Sequence, residues 1–282
     1  MRDLSRKSAV ITGAACGLGK SIALMLASHG CRIGIADINS EKAEHTLNQV
    51  IKRGGSGEIY PLDVSKPEEV EAMAKHFFDV WGEVDLLFNN AGVSAAGHVG
   101  DIPLEDWKWI IGINFWGVVY GCHSFIPRMK AQGYGYIINT ASIGGFLPFP
   151  EMSPYNTSKA AVVSLSETLR SELAPHNIGV TVVCPTFFNS DLNLSLRYTD
   201  EFEKEACDAA IKNAKINSDA VAEAVIKAIK KRKLYIVPQL TGKIQWLLRR
   251  LFPSIYVRGL AFLNKAGYAK PLMMWVVRRG LL

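Results

Sequence analysis

Short apolar runs alternate with longer stretches of helical periodicity along most of this chain. The run at 8–12 is bounded by Gly13, and Ile22, Met25 and Leu26 then recur at the spacing of one helix face. The other apolar runs lie at 32–36, 58–62, 84–88, 135–139, 180–183 and 234–237. Helical patterns lie between them, at about 40–53, 67–81, 104–130, 155–174 and 218–231. Because strands that alternate with helices form right-handed βαβ units, the pattern predicts a parallel sheet with helices on both faces.

Residues 1–238 contain no linker rich in Pro, Gly or Ser, so we expect them to form one doubly wound α/β domain with seven parallel strands. The segment 187–217 breaks the alternation of strand and helix. Loops of that size over a ligand crevice are often lids, and we expect this one to cover a substrate. Residues 239–282 lie beyond the seven-strand pattern and are predicted to form a C-terminal helical extension.

Composition and cysteine use indicate a folded protein with reduced thiols. Hydrophobic residues make up 49% of the chain, and no segment is low in complexity. The five cysteines are odd in number and have neither a disulfide framework nor metal-ligand spacing, so we expect no metal site. No apolar signal region precedes the first apolar run. We therefore expect a cytoplasmic protein.

Positive charge is concentrated near the C-terminus. Of the 32 Lys and Arg, 13 lie in residues 227–282, where there is no Asp or Glu, so residues 1–226 hold 19 basic and 26 acidic residues. The formal net charge of +6 hides this asymmetry. A basic segment on an acidic body suggests a polyanionic partner for that segment alone.

Within the basic segment, apolar residues recur at the spacing of one helix face and basic residues occupy the other side. The apolar residues are Ile244, Leu247, Leu248, Leu251 and Phe252, and the basic ones are Lys243, Arg249 and Arg250. No uncharged apolar run approaches the roughly 18–20 residues of a spanning helix. The pattern suits peripheral contact with an anionic membrane, and it suits equally a stripe that packs on the body or on a second subunit. Nucleic acid is not expected, because no motif that reads bases accompanies the charge.

The turn after the first apolar run contains Gly13, Gly17 and Gly19, in the spacing G-x-x-x-G-x-G. Glycine there lets the backbone approach a pyrophosphate, and the N-terminus of the following helix favours its negative charge. Tight turns between strand and helix also need glycine for structural reasons. Asp37 ends the second strand 20 residues after Gly17, where a carboxylate can accept hydrogen bonds from a ribose. Its alternative role is a helix N-cap, for which Asn39 serves at least as well.

Tyr155 and Lys159 are four residues apart in a predicted helix, so their side chains share one face. At about 4 Å and an effective dielectric near 20, an ammonium attracts a phenolate by about 4 kcal/mol, which corresponds to roughly 3 pKa units. We therefore expect Lys159 to lower the pKa of Tyr155 into the range of general acid and base catalysis. The same spacing also arises by chance in many helices.

Several ordered motifs together resemble the short-chain dehydrogenase/reductase family, whose members have a Rossmann fold. The matching residues are Thr12, Gly13, Gly17 and Gly19 for the cofactor motif, Asp63-Val64 for the pair at the adenine, Asn89 to Gly92 for the fourth-strand motif, and Tyr155 with Lys159 for the active site. The likeness covers about residues 5–238. The family usually has Pro-Gly where this chain has Pro185-Thr186.

The resemblance implies a nicotinamide-dependent oxidoreductase with a catalytic tetrad of Asn114, Ser142, Tyr155 and Lys159. Tyr155 would be the general acid and base, Ser142 would position the substrate oxygen, Lys159 would bond the nicotinamide ribose, and Asn114 would hold a water through a local break in its helix. The predicted cofactor-binding residues are Gly13, Cys16, Gly17, Leu18, Gly19, Asp37, Ile38, Asp63, Val64, Asn90, Ala91, Gly92, Tyr155, Lys159, Pro185, Thr186, Phe188 and Ser190. The predicted substrate residues are Ser142, Gly144, Leu147, Met152, Tyr155 and Phe187.

We expect NAD rather than NADP, because the Asp37 carboxylate would repel a 2′-phosphate, no basic residue follows it at Ile38, and Cys16 stands where NADP-preferring relatives often carry Arg or Lys. The expected substrate is an apolar secondary alcohol or its ketone, of lipid, steroid, retinoid or aromatic type. The alternatives are an NADP-dependent carbonyl reductase and a nucleotide-binding regulatory protein without turnover. The resemblance also implies a homodimer or homotetramer.

Overall fold

Seven parallel strands form a sheet in the order β3-β2-β1-β4-β5-β6-β7 in the computed structural model, which describes residues 3–281. The strands are β1 Ser8–Thr12, β2 Arg32–Asp37, β3 Ser56–Pro61, β4 Leu86–Asn89, β5 Gly135–Thr140, β6 Ile178–Val183 and β7 Tyr235–Ile236. The predicted doubly wound α/β Rossmann fold with seven strands and a C-terminal helical extension is confirmed. The outer ends of the two predicted segments, residues 1–2 and 282, lie outside the described residues.

Helices cover both faces of this sheet. They are α1 Gly17–Ala27, α2 Ser40–Lys52, α3 Pro67–Trp81, α4 Leu104–Ile111, α5 Gly117–Gln132, α6 Ser153–Glu172, α7 Glu201–Lys212 and α8 Ser218–Lys230, followed by α9 Leu240–Leu251, α10 Pro253–Lys265 and α11 Ala269–Arg278. Adjacent residues of β1 point to opposite faces, so Ile11 joins a core with α1 and α8 while Val10 joins a core with α3, α5 and α6. Burial on both faces explains why the central strands β1, β4 and β6 are mostly apolar, whereas the edge strand β3, which contains Ser56 and Glu58, is only half-buried.

The strand order reverses direction between β1 and β4, which are neighbours in the sheet. In open α/β sheets, ligands bind beyond the carboxyl ends of the strands at this reversal. The chain therefore places its functional crevice beside Thr12, Asn89 and Thr140, the last residues of β1, β4 and β5.

A single helical run from α4 to α5 contains a wide π-helical turn at Gly112–Trp116. Within residues 3–281, Leu104–Gln132 is the run long and apolar enough to cross a membrane, with a mean hydropathy of 1.3 over its most apolar window. The run packs against α3 and α6 in the core, and 44% of that window is buried inside the protein. Packing of this kind accounts for its apolar character.

Two parts of the chain lie outside the regular layers. The segment between β6 and α8 contains a short 3₁₀ turn at Leu192–Ser195 and then α7, which begins with a capping box formed by Asp200 and Glu203. The C-terminal extension is three helices rather than one continuous pattern, because Phe252 and Pro253 end α9 and begin α10. Helix α11 returns to pack on α7.

Candidate active site

The turn between β1 and α1 forms a cradle of backbone groups. Gly13 has a φ of +65°, a conformation that side chains disfavour, and a Cβ there would meet the backbone of Ala91 at 2.8 Å. A Cβ at Gly19 would overlap the Gly13 carbonyl oxygen. Helix α1 begins at Gly17, and among the described residues no side chain caps its first N–H groups. Those donors and the helix dipole therefore face an open groove, as an anionic group requires.

Asp37 lies at the end of β2 with its carboxylate fixed by backbone donors. The N–H groups of Ala15 and Asn39 each donate to it, both at 2.9 Å. The N-cap of α2 is Asn39, whose side chain accepts a hydrogen bond from the Lys42 N–H. Asp37 is therefore not the helix cap and stands at the wall of the groove.

A groove of about 400 Å³ runs from this turn to Tyr155. The predicted cofactor residues that line it are Gly13, Cys16, Gly17, Leu18, Asp37, Ile38, Asp63, Val64, Asn90, Ala91, Gly92, Tyr155, Lys159, Pro185, Phe188 and Ser190. Two predicted residues do not line it. Gly19 lies beneath the loop against Gly13, and Thr186 lines the neighbouring pocket.

The groove also contains charged residues that the sequence did not reveal, Lys42 and Asp191. Lys42 lies in the first turn of α2 and shares the groove wall with Asp37 and Ile38. The residue that directly follows Asp37 is Ile38, as the sequence shows, but Lys42 brings a cation to the same wall. The position of Lys42 could have been predicted, because side chains in the first turn of a helix point back toward its N-terminus, and α2 begins close to the end of β2.

Asn90 links the ends of three strands through hydrogen bonds. Its side-chain amide donates to the carbonyl oxygens of Thr12 and Gly13, both at 3.1 Å, and its Oδ1 accepts from the Thr140 hydroxyl at 3.3 Å. Its backbone N–H donates to the Thr12 hydroxyl at 3.0 Å. These bonds fix the glycine turn relative to β4 and β5, so Asn90 shapes the groove as well as lining it.

Asn114 is fully buried in the π-helical turn, where the Gly117 N–H donates to the Gly112 carbonyl five residues back. Its side-chain amide forms two hydrogen bonds with the backbone of Val93: Oδ1 accepts from the Val93 N–H at 2.8 Å, and Nδ2 donates to the Val93 carbonyl at 2.9 Å. Nδ2 also lies 3.2 Å from the Ser158 hydroxyl. The sequence predicted a break in this helix, and the structure has one at Asn114.

Tyr155, Ser142 and Lys159 converge where β5 meets the start of α6. Tyr155 and Lys159 share one face of α6, with the Lys159 ammonium 5.7 Å from the centre of the Tyr155 ring. Lys159 is buried and donates to the Thr140 carbonyl at 3.0 Å. The Ser142 hydroxyl accepts from the Gly144 N–H at 3.1 Å, which orients it at the pocket wall. The structure thus brings all four predicted tetrad residues into one neighbourhood.

Burial dominates the proton affinities of this cluster. It raises the pKa of Tyr155 to about 12, although the Ser142 hydroxyl partly offsets the shift. It also lowers the pKa of the Lys159 ammonium to about 8. The expected low pKa of Tyr155 is therefore wrong for the chain alone, because burial of the phenol sets the direction of the shift and the Lys159 ammonium is bonded to Thr140 instead. Both groups are protonated near neutral pH.

A second, narrower pocket of about 50 Å³ opens from the groove at Tyr155. The predicted substrate residues Ser142, Gly144, Met152, Tyr155 and Phe187 line it. Leu147 does not, because its side chain is fully buried in the core beneath. The pocket gains Asn156 from α6, and Cys207 and Ile211 from α7, which sequence spacing alone could not place there. Most of these side chains are apolar.

The segment that begins at Pro185 is tied to the C-terminal extension. The Thr186 N–H donates to the Gln239 side chain at 3.1 Å, and Gln239 in turn donates to the Phe187 carbonyl at 3.2 Å. The Thr186 methyl packs on Gly242 of α9. Thr186, where the resemblance suggests glycine, therefore fills the contact between the pocket and the first helix of the extension.

Comparison with known proteins matches residues 7–201 to the family model described as short chain dehydrogenase. A probable oxidoreductase EphD of Mycobacterium tuberculosis is 34% identical over 232 residues, which is 79% of this chain and 39% of that relative. The chain thus spans well under half the length of these mycobacterial relatives.

Solved structures agree on the fold and on the cofactor type. A short chain dehydrogenase/reductase from Burkholderia phymatum, in complex with NAD, has a TM-score of 0.86 and 32% identity, covering 90% of this chain and 96% of that one. An alcohol dehydrogenase from Thermococcus sibiricus, complexed with 5-hydroxy-NADP, has a TM-score of 0.71 and 25% identity, covering 82% and 95%. These neighbours support a nicotinamide cofactor in the groove.

Proposed function

The chain belongs to the short-chain dehydrogenase/reductase family, and from this premise we propose that it transfers a hydride between NAD(H) and an apolar secondary alcohol or its ketone, with Tyr155 as general acid and base. The observation that carries the proposal is the position of Tyr155, which lines both the long groove and the narrow pocket. A cofactor in the first and a substrate in the second would meet at its phenol.

The groove fits a dinucleotide. The glycine turn, in which side chains at Gly13 or Gly19 would collide with neighbouring backbone, would accept a pyrophosphate against the α1 N-terminus. Asp37 would accept hydrogen bonds from the adenosine ribose. The Lys159 ammonium uses one of its three N–H donors on the Thr140 carbonyl, so it could donate another to the nicotinamide ribose. A bound nicotinamide would supply the hydride acceptor or donor and, when oxidised, a positive charge.

Proton transfer falls to Tyr155. With its pKa raised to about 12, the phenol is protonated and ready to donate to a carbonyl oxygen during reduction. During oxidation Tyr155 must first lose that proton, and positive charge from Lys159 and from the oxidised cofactor both favour the phenolate. The Ser142 hydroxyl would donate to the same substrate oxygen, so two fixed donors stabilise the charge that develops there.

The pocket favours an apolar substrate. Phe149, Met152, Phe187 and Ile211 supply much of its wall, and Ser142 and Tyr155 are among its polar members. An apolar body with one oxygen at the reacting carbon complements this arrangement. We therefore expect lipid, steroid, retinoid or aromatic alcohols to react faster than small polar ones.

The test is NADH absorbance at 340 nm with a panel of secondary alcohols and ketones of graded polarity. Turnover that rises with apolar character supports the proposal. Tight NADH binding without turnover across the panel would overturn it in favour of the nucleotide-binding regulatory protein. Faster turnover with NADPH than with NADH would instead support the carbonyl reductase alternative.

Cofactor choice is expected to depend on Asp37. A 2′-phosphate beside its carboxylate would place two negative charges within a few ångströms, a repulsion that Lys42 in the same wall would offset only in part. We expect the wild type to prefer NAD by at least roughly 100-fold in Kd, and Asp37→Ala to reduce that preference to about tenfold or less. Fluorescence titration with NADH and NADPH measures both values.

Lys42 supplies the companion variant. Because it lies in the same wall as Asp37, Lys42→Gln should weaken NADPH binding to the Asp37→Ala protein by several-fold and leave NADH binding to the wild type nearly unchanged. Lys52, exposed at the far end of α2, is the matched control, and Lys52→Gln should change neither. A wild type that binds NADPH more tightly than NADH contradicts the role given to Asp37.

A further inference from the structure

We propose that α9 and α10 dock on an anionic lipid bilayer through their exposed apolar residues, here named the tail face. Its apolar members are Leu240, Ile244, Leu247, Leu248 and Leu251 of α9, and Ile255 and Phe262 of α10. The proposal goes beyond the proposed reaction and does not depend on it.

The stripe that the sequence predicts on α9 does not pack on the body of this chain. Ile244, Leu247, Leu248 and Leu251 are 51% to 59% exposed. The opposite side of α9 makes the intramolecular contacts, where Trp246 stacks on Phe146 with 4.8 Å between ring centres. Of the alternatives open at the level of sequence, this exposure disfavours packing of the stripe against this chain's own body.

Helix α10 makes the same point more strongly. None of its 13 residues, all within the described chain, is fully buried, and Phe262 is 67% exposed, although Tyr256, Leu260 and Leu263 are half-buried on the other side. Isolated helices of that length are marginal in water, and most helical stability in proteins comes from burial of an apolar face. Ile255 and Phe262, seven residues apart, lie on one side of α10, and both are 67% exposed, so this apolar face is not buried within the chain.

The basic residues around the tail face favour an anionic partner. Residues 239–282 hold eight Lys and Arg and no acidic residue. Exposed Lys243 and Arg250 flank the apolar residues of α9, and Arg258 and Lys265 lie beside Ile255 and Phe262 on α10. A second copy docked face to face would bring these cations together in a symmetric interface, whereas anionic headgroups would pair with them. Basic amphipathic helices of this kind lie in the plane of a membrane interface.

The tail face is anchored beside the substrate pocket. Upstream of it, Gln239 is bonded to Thr186 and Phe187 at the pocket wall. Downstream of it, Lys270 of α11 forms ion pairs with Asp200 at 3.0 Å and with Glu151 at 3.7 Å, and Val277 is buried where α11 packs on α7. Both attachments involve segments around the pocket, so a docked bilayer would lie close to the site that takes an apolar substrate.

The experiment is co-sedimentation of the full chain with vesicles of phosphatidylcholine alone or with roughly 30% phosphatidylserine. We expect binding to the anionic vesicles at 0.1 M salt and release at about 1 M salt, where the Debye length falls to about 3 Å. The triple variant Lys243→Gln, Arg258→Gln, Lys265→Gln should weaken binding on the order of 100-fold, since each basic residue near such a surface contributes about fivefold. Leu247→Ser with Leu251→Ser should weaken it by at least tenfold.

Matched controls lie on the body. Lys52→Gln, Lys108→Gln and Lys130→Gln remove three exposed positive charges, and Ile51→Ser with Val80→Ser removes two exposed apolar groups, without touching the tail face. Both should sediment with vesicles as the wild type does. A full chain that stays in the supernatant with anionic vesicles at 0.1 M salt overturns the proposal. It is overturned equally if Leu247→Ser with Leu251→Ser dissociates an oligomer in light scattering and leaves vesicle binding unchanged, because the tail face is then a subunit interface.

Discussion

Tyr155→Phe is expected to lower kcat by roughly 10²- to 10⁴-fold on the best substrate of the panel, the usual contribution of a positioned general acid or base. The substitution removes the phenolic oxygen and leaves the ring, whose edge lines both the groove and the pocket. The NADH Kd should therefore stay within about threefold of the wild type. Stopped-flow or steady-state kinetics at saturating NADH, with fluorescence titration of the cofactor, separate the two effects.

Tyr136→Phe is the matched control for this loss. Tyr136 is also buried, and its hydroxyl is 2.9 Å from that of Thr181 on the sheet, remote from both cavities. Its loss should cost stability on the order of 1 kcal/mol and leave kcat unchanged. Turnover of Tyr155→Phe within a few-fold of the wild type would remove Tyr155 from the mechanism.

Lys159→Met should abolish most activity and yet stabilise the fold at neutral pH. Burial lowers the pKa of this lysine from 10.5 to about 8, so keeping it charged costs the folded state on the order of 3 kcal/mol. Its hydrogen bond to Thr140 returns about 1 kcal/mol of that. Methionine has a similar length and no charge, and we expect a net gain of about 2 kcal/mol in the free energy of unfolding at pH 7.

The sign of this effect depends on pH. A lysine whose folded pKa is lowered destabilises the fold fully below that pKa, and the penalty fades as the pH rises from about 8 to 10.5. The advantage of Lys159→Met should therefore shrink over this range and reverse slightly above it. Urea unfolding at pH 7 and pH 10 measures it, and other titrating groups cancel in the difference between the two proteins. A variant less stable than the wild type at pH 7 would show that Lys159 is not a strained charge.

The sequence predicted the fold well because its signals are local and repeated. The central strands are short apolar runs whose burial on both faces is visible in composition, as at β1 and β6. The site residues could be predicted for a related reason. Asp37, Asn90 and Ser142 come at or just after strand ends, and a parallel sheet places these ends along one edge.

What the sequence could not reveal depends on contacts between distant segments and on burial. The pKa of Tyr155 was misjudged because spacing along a helix specifies direction but not desolvation. Leu147 was placed in the pocket by its nearness to the catalytic loop, yet it turns into the core. Cys207 and Ile211 were missed because α7 reaches the pocket across a long irregular segment. Lys42 reaches the groove from the first turn of α2, so the residue directly after Asp37 does not reveal it.

Because of the π-helical turn at Gly112–Trp116, the direction in which Asn114 points depends on the exact number of residues in this helical run. Each residue of an α-helix rotates the chain by about 100°, so the wider turn sets α4 and α5 at different angular phases along one axis. That offset lets α4 contact α6 while α5 contacts α3, with Asn114 turned toward Val93 between them. A one-residue deletion here would restore a regular helix and rotate one half against the other. The apolar composition would survive such a change, but the phase that aims Asn114 would not.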